Sequence, residues 1–84
     1  MAVTVKFFAS VREALGMSSE TLELPAGVAT VGELRAHLAA RGETWHKALG
    51  GPALRMACNQ VMCGGEAAVA DGAEVAFFPP VTGG

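Results

Sequence analysis

The sequence predicts an α+β fold, a mixed sheet of about five strands with one main helix packed across it. Three observations carry that prediction. Short segments of alternating apolar and polar residues recur along the chain, beginning with Val3, Val5 and Phe7 against Thr4 and Lys6. A single longer segment, residues 31–41, spaces its apolar side chains for a helix instead. The chain has 84 residues, 51% of them apolar, enough for one compact core at the small end of what folds unaided.

In chain order, residues 2–9 read as the first strand. Ser10-Val11-Arg12-Glu13 has the form of a capping box, and Gly16 can close the single short helix it opens. Thr21-Leu22-Glu23-Leu24 alternates again and stops at Pro25-Ala26-Gly27, which gives a second strand antiparallel to the first. Thr30-Val31-Gly32-Glu33 is a second capping box, after which Val31, Leu34 and Leu38 make the stripe of the main helix. Gly42 stands where a C′ glycine belongs, and residues 44–49 add a further helical turn. Leu54, Met56 and Cys58 alternate with Arg55 and Ala57 in a third strand; Asn59-Gln60 turns into a short fourth over residues 61–63. Asp71-Gly72 is another turn, and residues 74–78 form the last strand. Pro79-Pro80 end it, because neither proline has an N–H to give to a ladder. A sheet that buries the stripe of one long helix is the β-grasp, or ubiquitin-like, arrangement. Residues 1–78 are then the domain and residues 79–84 a projecting tail.

Composition excludes several functions. Six Lys+Arg against eight Asp+Glu give a net charge of −2 with no basic block, so no nucleic-acid partner is expected. No apolar run approaches the roughly 20 residues that span a bilayer, and no membrane partner is expected either. The N-terminal segment alternates and carries Lys6 and Arg12, unlike a signal peptide, so the expected location is the cytoplasm with reduced thiols. Two cysteines fall short of a disulfide framework or a structural zinc site, and no metal site is expected. Nothing matches a phosphate-cradling glycine loop. His37 lies off the helical stripe and reads as a solvated residue, while His46 beside Trp45 reads as part of a packed turn. Cys58 and Cys63 are offset across their hairpin and, with no partner to lower a thiol pKa, read as buried and inert. No side-chain constellation forms an active site by itself.

The remaining reactive group is the terminal carboxylate of Phe77-Phe78-Pro79-Pro80-Val81-Thr82-Gly83-Gly84. With 11 glycines in 84 residues, two at the end would arise by chance in about one chain in sixty, so composition alone is only suggestive. The context adds weight. Pro79 and Pro80 stiffen the exit from the last strand, and the residues beyond Phe78 reach at most ~20 Å at about 3.3 Å each. Gly83 and Gly84 have no Cβ and so can enter a narrow channel. Alternation places Phe7 and Phe77 under the helix and Phe8 and Phe78 on the opposite, open face, where Met62 extends an apolar patch. Such a patch beside a projecting tail reads as a docking surface. The plainer alternatives are a partly covered sheet face and a loose chain end.

VKFFASVRE, the Asn59-Gln60 turn, DGAEVAFF and above all FFPPVTGG resemble the small subunit of molybdopterin synthase over essentially the whole chain. The related thiamine sulfur carriers also end in two glycines but typically lack the Phe-Phe-Pro-Pro lead-in. The resemblance implies a sulfur carrier that binds no cofactor of its own. In that family a ubiquitin-activating-like adenylating enzyme uses ATP to adenylate the terminal glycine, and a sulfur donor system converts it to a thiocarboxylate. The charged carrier then inserts its tail into the large synthase subunit, within a heterotetramer, and gives sulfur to cyclic pyranopterin monophosphate for the molybdopterin dithiolene.

Carried over, Gly84 bears the sulfur and Gly83 is its slender neighbour. Phe8, Met62 and Phe78 face the partner together with Pro79, Pro80, Val81 and Thr82, and Arg12 adds a polar contact. Cys58 stands where an aliphatic residue is common, and Cys63-Gly64-Gly65 makes an unusual loop; neither touches the tail. The residues leave other readings open: a carrier for thiamine or transfer-RNA thiolation, a protein modifier joined through Gly84, or a non-reactive interaction module.

Overall fold

The structure, a computed structural model, describes residues 1–80. Five strands form one sheet: β1 (Ala2–Phe7), β2 (Ser19–Glu23), β3 (Arg55–Cys58), β4 (Val61–Cys63) and β5 (Glu74–Phe78). Their order is β2-β1-β5-β3-β4, with β1 and β5 parallel at the centre and the other pairs antiparallel. The helices are α1 (Ala9–Leu15), α2 (Val31–Ala39) and α3 (Glu43–Leu49). This is the mixed-sheet β-grasp architecture, with helices against one face.

Alternation decides which residues fill the core. Val3, Val5 and Phe7 of β1 and Val75 and Phe77 of β5 point under the helices and are buried. They meet Val31, Leu34 and Leu38 of α2, Val11 of α1 and Leu49 of α3. The stripe on α2 is held in place by its cap. Thr30 Oγ1 accepts from the Glu33 N–H at 3.2 Å, and the Glu33 carboxylate accepts from the Thr30 N–H at 3.0 Å. Gly32, in the first turn of α2, donates to the Gly65 carbonyl at 2.8 Å, and a Cβ there would stand 3.0 Å from that oxygen. The segment between β4 and β5 is thereby tied to the head of the main helix, with a Thr30–Ala68 bridge beside it.

Five local expectations differ from the structure. The first strand stops at Phe7, and α1 is capped by Phe8 with no side-chain bond; Ser10 lies inside the helix. The chain turns out of the sheet at Ala9, in the left-handed region at φ 51, so the helix opens before Ser10 can cap it. Gly42 does not terminate α2, whose cap is Ala40; it is the N-cap of α3. The second helical segment is longer than one turn, because Trp45 and Leu49 find apolar neighbours in the core cluster. His46 sits exposed on that helix rather than in a packed turn.

One polar contact reaches across the sheet edge. Arg41 holds Glu20 of β2 through two hydrogen bonds, at 2.7 and 2.6 Å. Its guanidinium lies 4.6 Å over the Trp45 ring, which meets Phe7 edge-on at a centroid distance of 5.8 Å. The hydrogen bond from Arg41 holds the Glu20 carboxyl below its ordinary value, against an opposing effect of burial. A depressed folded-state value adds stability above the unfolded value and loses it as pH falls through the folded one. Lowering the pH below about 4.5 is therefore expected to weaken the wild type more than Glu20→Gln. The difference, read from urea midpoints, should be about 1 kcal/mol or less; parallel pH profiles for the two proteins would show that the pair contributes nothing.

Candidate functional site: the open sheet face and the root of the tail

The face turned away from the helices is built by the residues that alternate with the core. Register aligns Met62 with Ala57, Ala57 with Ala76, and Ala76 with Lys6. One step along, Phe78 pairs with Arg55. Alanines at the centre of the face leave it flat, and Phe78 and Met62 rise around them. Met62 is 60% exposed and Phe8 45%, whereas Phe78 is half-buried. Phe8 leaves β1 beside this end of β5, its N–H donating to the Phe77 carbonyl at 3.2 Å. Arg12 is exposed one helical turn further on, its N–H directed at the Phe8 carbonyl. Pro79 is half-buried and Pro80 exposed. The structure thus brings Phe8, Phe78 and Pro79 to the end of the sheet from which the tail leaves, with Met62 on the same face one row back and two strands away. Val81, Thr82, Gly83 and Gly84 lie outside the described residues.

The other half of the open face is polar and self-neutralised. Lys6 Nζ is 3.6 Å from Glu74, and the Thr4 and Thr21 hydroxyls are 3.4 Å apart. The amino terminus lies 3.1 Å from Glu23 at the edge. On the open face the apolar side chains Phe78 and Met62 therefore gather on the β5–β3–β4 side, with Arg55 beside Phe78.

The cysteines take no part in that surface. Cys63 pairs with Met56 and Cys58 with Val61, so the two thiols are offset on the core side of the hairpin. Both are free and half-buried rather than fully buried. Burial pushes the Cys63 thiol up, and the nearby Cys58 and Glu66 add to the rise. A thiol held in its protonated form is a poor nucleophile. A groove of about 410 Å³ runs between α2 and α3, lined by Ala36, Ala39, Ala40 and Leu49 with Arg35 and His46 at its rim. Arg35 is already engaged with the carbonyls of Leu49 and Gly51, so the groove offers no free acid, base and nucleophile together. Among the described residues no three His, Cys, Asp or Glu gather to hold a metal, and no helix is long and apolar enough to cross a membrane.

Sequence reasoning did not single out Arg55 and Ala57 as part of this face. The signal was present: if Leu54, Met56 and Cys58 point inward, Arg55 and Ala57 must point outward.

The sheet order with helices against one face makes this a small ubiquitin-like β-grasp domain, and the chain belongs to the ThiS family, whose model matches residues 5–84. It is 45% identical to the molybdopterin synthase sulfur carrier subunit of Escherichia coli (strain K12) over 98% of this chain and 99% of that one. Among solved structures it resembles a chain from the protein–protein complex of subunits 1 and 2 of molybdopterin-converting factor from Helicobacter pylori 26695. That likeness has a TM-score of 0.70 and 26% identity over the full length of both chains. It also resembles the small archaeal modifier protein 1 of H. volcanii, with a TM-score of 0.74 and 27% identity over 95% of this chain and 98% of that one.

Proposed function

We infer that the chain is the sulfur carrier subunit of a molybdopterin synthase, acting in the cytoplasm through the carboxylate of Gly84. The observation that carries this reading is the register of β5: it turns Phe78 onto the exposed apolar side of the sheet at the last residue before Pro79-Pro80 and the Gly-Gly ending. The near-full-length similarity to the Escherichia coli carrier supports the same client.

The chemistry follows from what a carboxylate lacks. Its negative charge repels nucleophiles and its oxygen is a poor leaving group. A partner adenylating enzyme corrects both by joining the Gly84 carboxylate to AMP from ATP, with pyrophosphate leaving. Sulfur from a donor system then attacks the acyl carbon, AMP departs, and a thiocarboxylate remains. That sulfur is a soft nucleophile carried on residues without a Cβ, which lets the end of the tail enter a confined site. The open face around Phe8, Met62 and Phe78, with Arg12 beside it, docks on the large synthase subunit. Pro79, Pro80, Val81 and Thr82 lead the tail inward. Two sulfurs are needed for each dithiolene built on cyclic pyranopterin monophosphate, so two charged carriers are consumed per product. The resemblance to the molybdopterin synthase family implies a heterotetramer of two large and two small subunits. On this reading the part of the chain is delivery.

The test is the intact mass of the protein after incubation with ATP, a cognate adenylating enzyme and a sulfur donor. The expected change is one oxygen replaced by sulfur. An unchanged mass with an adenylating enzyme shown to be active on another carrier would refute the reading. The likeness to an archaeal modifier protein supports a second one, conjugation through Gly84, which predicts a ladder of higher-mass adducts on a blot instead of a thiolated free chain.

A further inference from the structure

The cations of this chain are matched almost everywhere except beside the apolar patch. Lys6 faces Glu74, Arg41 holds Glu20 at 2.6 Å, and Lys47 lies 3.2 Å from Glu43. Arg35 donates to the carbonyls of Leu49 and Gly51. Of the six lysines and arginines in the sequence, that leaves Arg12 and Arg55, which have no carboxylate partner among the described residues. Acids are not scarce, for the chain has eight. Glu13 follows Arg12 directly, but adjacent residues on a helix do not face each other.

Each unmatched arginine stands next to one of the aromatics of the patch. Arg55 is the register partner of Phe78 on the open face, and Arg12 lies one turn along α1 from Phe8. Each is exposed, so water satisfies its guanidinium while the face is free. Covering the apolar patch removes that water. A guanidinium at the rim then needs an anion with matching geometry, and a carboxylate accepting two parallel N–H donors is the usual match. Unmatched positive charge on a chain of net charge −2 therefore specifies the sign of whatever covers this face. On the carrier reading the Gly84 carboxylate is committed to the acyl chemistry, so the anion is assigned to the partner protein.

We propose that Arg55, seconded by Arg12, reads carboxylates on the large synthase subunit and fixes the register in which the apolar patch docks. This rests on the carrier function argued above and adds to it a positioning residue and the acidic chemistry of the partner's surface. The contact acts on docking and leaves the acyl chemistry of Gly84 untouched.

The test is the dissociation constant of the full chain for the purified large subunit at about 50 mM and about 500 mM salt, where screening differs severalfold in range. Arg55→Glu is expected to weaken binding at least tenfold at low salt, with the deficit shrinking at high salt. Arg55→Gln should show a smaller loss with the same trend. Lys47→Glu makes the same charge change on α3 and should bind like the wild type. Equal binding of wild type and Arg55→Glu at both salts would overturn the proposal, as would a loss that ignores salt or one matched by Lys47→Glu. A wild type that fails to bind any large subunit would overturn the carrier reading and this contact with it. A binding wild type with a silent Arg55 sinks the contact alone. Thermal midpoints of the variants accompany the measurement; if Arg55→Glu does not fold, Arg55→Gln decides.

Discussion

Adding one alanine after Gly84 is expected to abolish thiocarboxylate formation entirely while leaving the fold and the docking face unchanged. The reason is positional. The carboxyl carbon of Gly84 would become an amide carbon, with no free carboxylate oxygen to attack the α-phosphate of ATP, and the new terminal residue would carry a Cβ where the wild type has none. The open face around Phe8, Met62 and Phe78 belongs to the folded domain and does not depend on that residue. Intact mass after the activation reaction should therefore show the unmodified extended chain alone. Sulfur incorporation at the wild-type rate would mean that the reacting carbon is not that of Gly84. A normal thermal midpoint beside the lost reaction is part of the expected result, because it separates a blocked terminus from a damaged domain.

The second large effect separates two neighbouring phenylalanines. Phe77 is fully buried, stacked on Phe7 at a centroid distance of 6.5 Å. Phe77→Ala removes that ring from the centre of the core and should cost ~3–5 kcal/mol. In a domain whose total stability is on the order of 5–15 kcal/mol, that lowers the thermal midpoint by roughly 15 °C or more. Phe78 is half-buried on the other face, and Phe78→Ala should cost no more than about 1 kcal/mol in stability. Its expected loss is in docking: a rise of at least tenfold in the dissociation constant for the large subunit, of the size seen for buried aromatic anchors. Denaturation midpoints and binding measured on both variants give the comparison. If Phe78→Ala unfolds the domain and binds normally once folded, the functional face is the opposite one.

That contrast is legible in the sequence because a strand has a period of two, and the aromatics at positions 7, 8, 77 and 78 fall on its two sides. The Thr30–Glu33 capping box was equally legible, since both its bonds form within four residues. So was the Asn59-Gln60 turn, where both residues take the positive φ of a two-residue hairpin. What escaped was set by distant parts of the chain. Ser10-Val11-Arg12-Glu13 has the letters of a cap, but the turn at Ala9 starts α1 too early for Ser10 to use it. Gly42 satisfies the rule for a helix end and the rule for a helix start, and the packing of Trp45 and Leu49 chooses the second. The contact of Gly32 with Gly65 joins segments that share no local pattern. Within the candidate site, the aromatics announced themselves by type, whereas Arg55 became meaningful only once the other cations had found their partners.

The parallel pairing of β1 with β5 bears on when a carrier becomes usable. Thr4 waits for Glu74, and Phe7 for Phe77, so the two central strands come from opposite ends of the chain. Until the last strand has been synthesised, β1 has one unpaired edge, the core lacks Val75 and Phe77, and Phe78 has no sheet to stand on. Contacts of such long sequence separation also form late in folding. A chain that lacks β5 therefore cannot present the docking face at all. On the proposed carrier function, maturation of the fold and arrival of the Gly84 terminus depend on the same end of the polypeptide, so an unfinished molecule is expected to stay out of sulfur transfer.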